Sequence, residues 1–128
     1  MSQSNEQRVI LRPSEEQFVP YERYGRIVPG ISWVNISYDM ETGCGSFLLK
    51  MAPGCRSLAH EHVDFEDFIV LDGELIDDDG TVFHSGEFVS FKPGSCHWSQ
   101  TPGGCTIAVF FRQANRLLTD EENAARSG

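Results

Sequence analysis

Positive charge is what this chain has least of. Ten Lys and Arg stand against nineteen Asp and Glu, a formal net charge of -9 at pH 7, and such a surface repels phosphate backbones and anionic lipid alike. Nucleic acid and membrane are therefore poor partners for it. Long apolar runs are missing as well. The longest, such as FIVL (68–71) and IAVFF (107–111), fall far short of the ~20 residues that span a bilayer. The opening MSQSNEQRVILRPSEE holds no apolar core of the kind a secretory leader needs, and a cytoplasmic protein is the expectation. Cysteine is sparse: Cys44, Cys55, Cys96 and Cys105 form no CxxC pair and are too few for a small disulfide scaffold, so free thiols are expected. There is no internal repeat and no linker, and no helical periodicity of useful length occurs before residue 113.

What is present is a set of short apolar runs. At 128 residues, 40% hydrophobic, with nine Phe, three Tyr and two Trp, the chain is long enough for one domain to bury its own core. ISWVNISY (31–38), GSFLLKMA (45–52), EDFIVLDGELI (66–76), TVFHSGEFVSF (81–91) and CTIAVFFR (105–112) are rich in Val, Ile, Phe and Thr, with DMETG, APG, DDDG, KPGS and TPGG between them. β-Branched and aromatic residues favour strands while Gly, Pro and Asp favour turns, so this succession predicts an all-β sandwich or barrel. Residues 1 to about 15 read as a flexible arm or an added edge strand. Thr119 to Glu122 has the form of a capping box, which starts a short terminal helix unless the acidic tail frays.

The few histidines gather in one place. HEHVDFE (60–66) packs two of the chain's four histidines and three acids into seven positions. In an extended strand, side chains two apart share a face, so His60 and His62 point the same way, at a separation suited to gripping one ion through ring nitrogens. On its own such a pair reads first as an acidic surface loop. Its surroundings change that: Gly54 stands six residues before His60, Glu66 four after His62 and Gly73 seven after Glu66, in full G-x5-H-x-H-x3-E-x6-G. The even spacing from His62 to Glu66 keeps both on one face provided that the strand bends near Asp64.

This run, PGCRSLAHEHVDFEDFIVLDG, resembles the first motif of the cupin superfamily, with its Gly, His, His, Glu and Gly positions all filled. Gly86-EFVSFKPGSC-His97 is similar to the second motif, G-x5-P-x-G-x2-H-x3-N. Gly86, Gly94 and His97 keep its spacing, Lys92 stands at the usual proline with Pro93 one place on, and Thr101 replaces the final Asn. These departures fall outside the ligand positions. The resemblance spans roughly residues 28 to 112. It is strongest to the zinc-binding cupin domain of ChrR-type anti-sigma factors and to the small cupins grouped with dihydroxyacetophenone and acetylacetone dioxygenases.

The resemblance implies an all-β, single-domain cupin jelly-roll barrel, a double-stranded β-helix, over residues 16–112, preceded by the arm at 1–15 and followed by a tail at 113–128. It also implies a divalent transition metal held by His60, His62, Glu66 and His97, with one or two coordination positions open. This N3O set suits Fe(II) or Zn first and Mn, Ni or Cu as well, because ligand softness does not choose among them. Glu66 is either the fourth ligand or a catalytic base that takes a proton from the substrate. Two functions follow. One is a dioxygenase acting on a small enolisable carbonyl or phenolic compound. The other is a non-catalytic zinc or small-ligand module of the ChrR kind, which the lack of room for a separate helical sigma-binding domain disfavours. The expected partners are a small-molecule substrate and a second copy of the chain, since exposed sheet edges favour a homodimer.

The remaining candidates take plainer readings. His84 lies outside both motifs and reads as exposed, and Asp67 alternates away from the ligand face toward the rim. Cys96, on the face opposite to His97, reads as a small packing residue, as do Cys44, Cys55 and Cys105. Phe68 and Val70 share the parity of Glu66 and are expected to line the cavity beneath the metal. Phe91 and Trp98 read as core aromatics. Asp77-Asp78-Asp79-Gly80 reads as a solvated hairpin turn rather than a calcium loop.

Overall fold

The structure, a computed structural model, describes residues 3–4 and 7–127. Residues 1, 2, 5 and 6 of the expected arm, and residue 128 of the expected tail, lie outside the described residues. The described chain forms strands β1 (Gln3–Ser4), β2 (Val9–Ile10), β3 (Val19–Pro20), β4 (Ile31–Asn35), β5 (Gly45–Met51), β6 (Cys55–Arg56) and β7 (His60–Glu61). These are followed by β8 (Glu66–Asp77), β9 (Val82–His84), β10 (Phe88–Phe91), β11 (Cys96–His97), β12 (Ser99–Thr101), β13 (Cys105–Phe111) and β14 (Arg116–Leu117), then by helix α1 (Asp120–Ser127). Every pairing is antiparallel. The main sheet runs β3-β4-β5-β13-β8-β12-β6, with β9 and β10 also paired to β8. β11-β7-β14 form a three-stranded sheet, and β1-β2 a two-stranded one. This curled antiparallel sheet is the expected all-β barrel.

β8 organises the fold because it belongs to both halves of the curl. Its first half pairs with β10 and β13, its second half with β9 and β12. The change of partner coincides with a β-bulge: Ile107 faces Val70 while Thr106 faces Asp72, leaving Leu71 unmatched. A bulge flips the inside-outside alternation of the strand beyond it. Glu66, Phe68 and Val70 are buried before the bulge, and Leu75 and Asp77 after it. Gly73 lies at this corner with φ of 78°, and a Cβ there would stand 2.1 Å from the Gly104 carbonyl oxygen. No other residue fits that approach.

The core lies inside the curl. Phe47, Phe68, Val70 and Val109 are its most enclosed members, and Tyr21, Trp33, Tyr38, Phe47 and Phe111 pack edge-on or tilted with centroids 5.2 to 6.1 Å apart. α1 begins on a capping box: Glu122 N–H donates to Thr119 Oγ1 at 3.1 Å and Thr119 N–H to Glu122 Oε1 at 2.9 Å. Among the described residues no helix is long and apolar enough to cross a membrane.

Several readings change. The run 81–91 is two strands, because Ser85 and Gly86 turn between them with Gly86 at φ of 89°. Strands β6, β7, β11, β12 and β14, two or three residues each, carry no alternation pattern and exist only through their partners. All four cysteines are free, as expected, but Cys44 is exposed and Cys96 half-buried rather than packed. Trp98 is no core residue. It sits half-buried at the surface, with the Arg56 guanidinium 3.6 Å from its ring centroid.

The corner predicts a contrast between two glycines. Gly73→Ala is expected to destabilise the protein by more than about 2 kcal/mol through backbone displacement. Gly80→Ala, also at positive φ but facing open space, should cost only about 1 kcal/mol. Urea denaturation of both variants checks this.

Candidate metal centre

Three of the four histidines meet inside the barrel. His60 on β7 and His97 on β11 are directly opposed across the strand pair. His62 follows β7, its N–H donating to the Ser95 carbonyl at 2.9 Å and its carbonyl accepting from Gly94 N–H at 2.7 Å. The imidazoles are 7%, 1% and 5% exposed for His60, His62 and His97. Their ligand nitrogens all lie within 4.8 Å of one another.

What aims the nitrogens is the hydrogen bonding of the other ring atom. His60 Nδ1 donates to the Leu58 carbonyl at 2.7 Å and His97 Nδ1 to the Asp77 carboxylate at 2.6 Å. His62 Nδ1 lies 2.9 Å from Ser95 Oγ, whose own hydrogen goes to the Lys92 carbonyl at 2.7 Å, so the hydroxyl can only accept from the ring. With every Nδ1 carrying the proton, each neutral ring presents a bare Nε2 lone pair to the interior. His97 Nε2 is the one buried side-chain N or O atom without a hydrogen-bond partner among the described residues. Such an orphan costs about 1–3 kcal/mol unless a ligand satisfies it.

Glu66 completes the arrangement from β8. The expected bend occurs at Val63 and Asp64, and it brings Glu66 Oε1 to 2.9 Å from His62 Nε2. With the His62 proton held on Nδ1, this contact opposes two lone pairs. A proton or a metal cation must therefore lie with them, and two adjacent ligand atoms bound at about 2.1 Å to one ion stand about 3 Å apart. Burial alone raises the Glu66 carboxyl, but the close approach of His62 and the neighbouring His60 and His97 outweighs it and holds the group below its ordinary value. Burial pushes His60 down to about 4, against the pull of Glu66, so that its ring is neutral at physiological pH. The donors present fit a divalent metal ion: three imidazole nitrogens without protons and an ionised carboxylate beside them.

The site opens onto a cavity of about 70 Å³ lined by His60, Glu66 and His97 together with Phe68, Leu75 and Val109. Phe68 lines it as expected, whereas Val70 is fully enclosed behind it in the core. Phe91 stacks on His62 at a centroid distance of 4.8 Å and lies 4.1 Å from the His97 ring. It walls the histidines as well as packing against the core. His84 stays outside, its side chain 58% exposed between Glu74 and Glu87.

These features sit in a chain whose residues 6–115 match the sequence profile of the ChrR cupin-like domain. The chain belongs to the ChrR cupin-like family. Among solved structures, the cupin is similar to an acetylacetone dioxygenase from Acinetobacter johnsonii, with a TM-score of 0.76 and 15% identity over 94% of this chain and 83% of that one. An RmlC-like cupin from Ralstonia eutropha matches with a TM-score of 0.74 and 18% identity over 89% and 74% of the two chains. A polyketide cyclase from Streptomyces resistomycificus matches with a TM-score of 0.57 and 17% identity over 78% and 80%. At these identities the likeness establishes the fold alone. No curated protein matches the sequence.

Sequence reasoning missed Asp77 and Ser95. Asp77 was expected in a solvated turn, yet the bulge in β8 turns it inward behind His97 at 8% exposure; only Asp78 to Gly80 form the turn. Nothing in the spacing of DDDG marks the first Asp as different. Ser95 sits inside the second cupin motif, two residues before His97, where the pattern is silent about residue type.

The cupin's content of bound divalent metal, measured after purification without chelator, is expected to fall below stoichiometric in His60→Ala, His62→Ala and His97→Ala, and to stay unchanged in His84→Ala. Asp77→Ala should weaken zinc affinity by about 10- to 100-fold in chelator competition. Acid provides a second check. Between pH 6.5 and about 4 the unfolded chain protonates His60 and the folded chain does not. The metal-free protein should therefore lose stability as pH falls through that window, on the order of 3 kcal/mol. Glu66, depressed in the fold, adds to the loss only below its unfolded value of 4.5. Urea midpoints at pH 7, 5.5 and 4.5 measure the trend.

Proposed function

We propose that this cupin is a metal-dependent dioxygenase acting on a small enolisable carbonyl or phenolic compound, with a divalent ion held by His60, His62, His97 and Glu66. The observation that carries the reading is the junction of the His cluster with a mostly apolar cavity. A structural metal is closed off by its ligands, whereas a site that faces a cavity leaves room for a substrate beside the ion. The likeness in fold to an acetylacetone dioxygenase supports the same direction. The likeness to a polyketide cyclase is a reminder that one fold hosts several chemistries.

When bound, iron supplies the redox chemistry that dioxygen needs, while zinc supplies Lewis acidity alone. The chain's own residues do the rest. Glu66 is ionised at neutral pH and lines the cavity. Its Oε1 is engaged by His62, and its other oxygen carries no hydrogen bond among the described residues. That oxygen takes the proton as the substrate becomes its enolate or phenolate. Phe68 lines the cavity and Phe91 stacks on His62, and such apolar surroundings strengthen the electrostatic contacts of the reacting groups.

Elemental analysis of the purified protein, paired with oxygen consumption by the iron-reconstituted form against 1,3-diketones, hydroxyketones and catechols, tests the reading. Substrate-dependent uptake with stoichiometric iron is expected. Glu66→Gln should slow the uptake by about 10²- to 10⁴-fold. Tightly held zinc with no uptake on any compound would replace the dioxygenase by a zinc or small-ligand binding module.

A further inference from the structure

The cavity has a second polar wall that metal chemistry does not use. Arg23, in the loop after β3, lines the cavity and is 9% exposed. Its Nε donates to Tyr21 Oη, its Nη2 to Asn115 Oδ1 at 2.6 Å and its Nη1 to Tyr38 Oη at 3.4 Å. The guanidinium carbon stands 4.3 Å from the Tyr24 ring centroid and 5.0 Å from that of Phe111. All of these partners are neutral, and burial holds the Tyr21 and Tyr24 phenols in their neutral form. Among the described residues no carboxylate forms an ion pair with Arg23.

An enclosed guanidinium without a counter-ion is a strongly unfavourable arrangement, and arginine cannot escape it by losing its proton. The chain has nineteen acids, and among the described residues none is paired with this guanidinium. Of the five guanidinium N–H groups three are engaged, which leaves two to donate. Tyr21 Oη accepts from Arg23, and its own hydrogen has no acceptor among the described residues. The charge of the whole interior points the same way. Its buried charged side chains are Arg23, Glu66 and Asp77, so a divalent ion beside the histidines turns an enclosed charge of minus one into plus one. One bound carboxylate restores neutrality.

We infer that Arg23 anchors the carboxylate of the substrate, a small monocarboxylate whose carbonyl-bearing body lies across the cavity toward His60, His97 and Glu66. This assignment rests on the metal-site reading above and narrows its substrate class. The planar fork of arginine matches the two oxygens of a carboxylate, and the Tyr21 hydroxyl adds a donor at the same point. A cavity of about 70 Å³, about half the volume that holds a benzene molecule, restricts the substrate to a very short acid.

Acetoacetate and its neutral isostere acetoacetamide form the test pair, titrated calorimetrically into the full-length protein in zinc-loaded and metal-free forms. The zinc-loaded protein is expected to bind acetoacetate at least tenfold more tightly than the amide. Arg23→Gln should abolish that preference while retaining zinc, and Arg23→Lys, which keeps the charge without the fork, should retain part of it. Equal binding of the two compounds by the unaltered protein overturns the assignment, as does failure of both to bind at millimolar concentration. Neither comparison depends on a variant folding. A preference that survives in Arg23→Gln overturns it as well. The metal reading fails on separate evidence, zinc content that survives His97→Ala, whereas the carboxylate preference reports on Arg23 alone. In the metal-free protein the preference should shrink, because two buried carboxylates then face one guanidinium.

Discussion

Three imidazoles can aim three lone pairs at one point only if their N–H groups are taken elsewhere. That constraint governs this interior. The Leu58 carbonyl, Ser95 Oγ and the Asp77 carboxylate each take one Nδ1 hydrogen, and each comes from a different part of the fold: the segment before β7, the turn before β11 and the far end of β8. Once these bonds are made, the rings have no freedom of tautomer and little of rotation. The unsatisfied His97 Nε2 and the close approach of His62 to Glu66 follow directly. Both are unfavourable in isolation and both are relieved by a cation, so the site holds its strain in the form of affinity.

The curl of β8 makes this convergence achievable. One strand contributes Glu66 beside the histidines from its first half and Asp77 behind His97 from its second, and a single unmatched residue at Leu71 allows both to point inward. Gly73 lets β13 and the Gly104 turn close onto the corner. The same strand places Phe68 and Leu75 along the cavity, so one element joins Glu66, beside the histidines, to the apolar space next to them. The opposite wall has another origin. Tyr21, Arg23 and Tyr24 lie in the loop after β3, and Arg23 and Tyr24 both donate to Asn115 Oδ1 just before β14, which ties the start of the chain's sheet to the segment after β13 beside the cavity.

The separation between what sequence and structure reveal follows the range of the interactions. HEHVDFE, with its glycines at 54 and 73, identifies His60, His62 and Glu66, because a strand repeats every two residues and a shared face is a local property. His97 is legible through a second motif of its own. Ser95 is hidden because an accepting hydroxyl can be recognised only by what it receives. Asp77 is hidden because its inward direction depends on a bulge, and the mismatch lies between β8 and β13, which are far apart in the chain. Arg23 is hidden for a similar reason. Nothing local in ERYGR separates Arg23 from Arg26, and the enclosure of Arg23 is completed by Tyr38, Phe111 and Asn115, which are far from it in the chain.

By itself the sequence determined the all-β class, the strands β4, β5, β8 and β13, the capping box at Thr119–Glu122 and the family to which the chain belongs, since each rests on short-range patterning or on a motif of fixed spacing. Tertiary structure alone decided which side chains orient the histidines, that a cavity adjoins them and that an unpaired guanidinium faces it. Those outcomes depend on register between distant strands and on the exclusion of water, neither of which is encoded in any one stretch of residues.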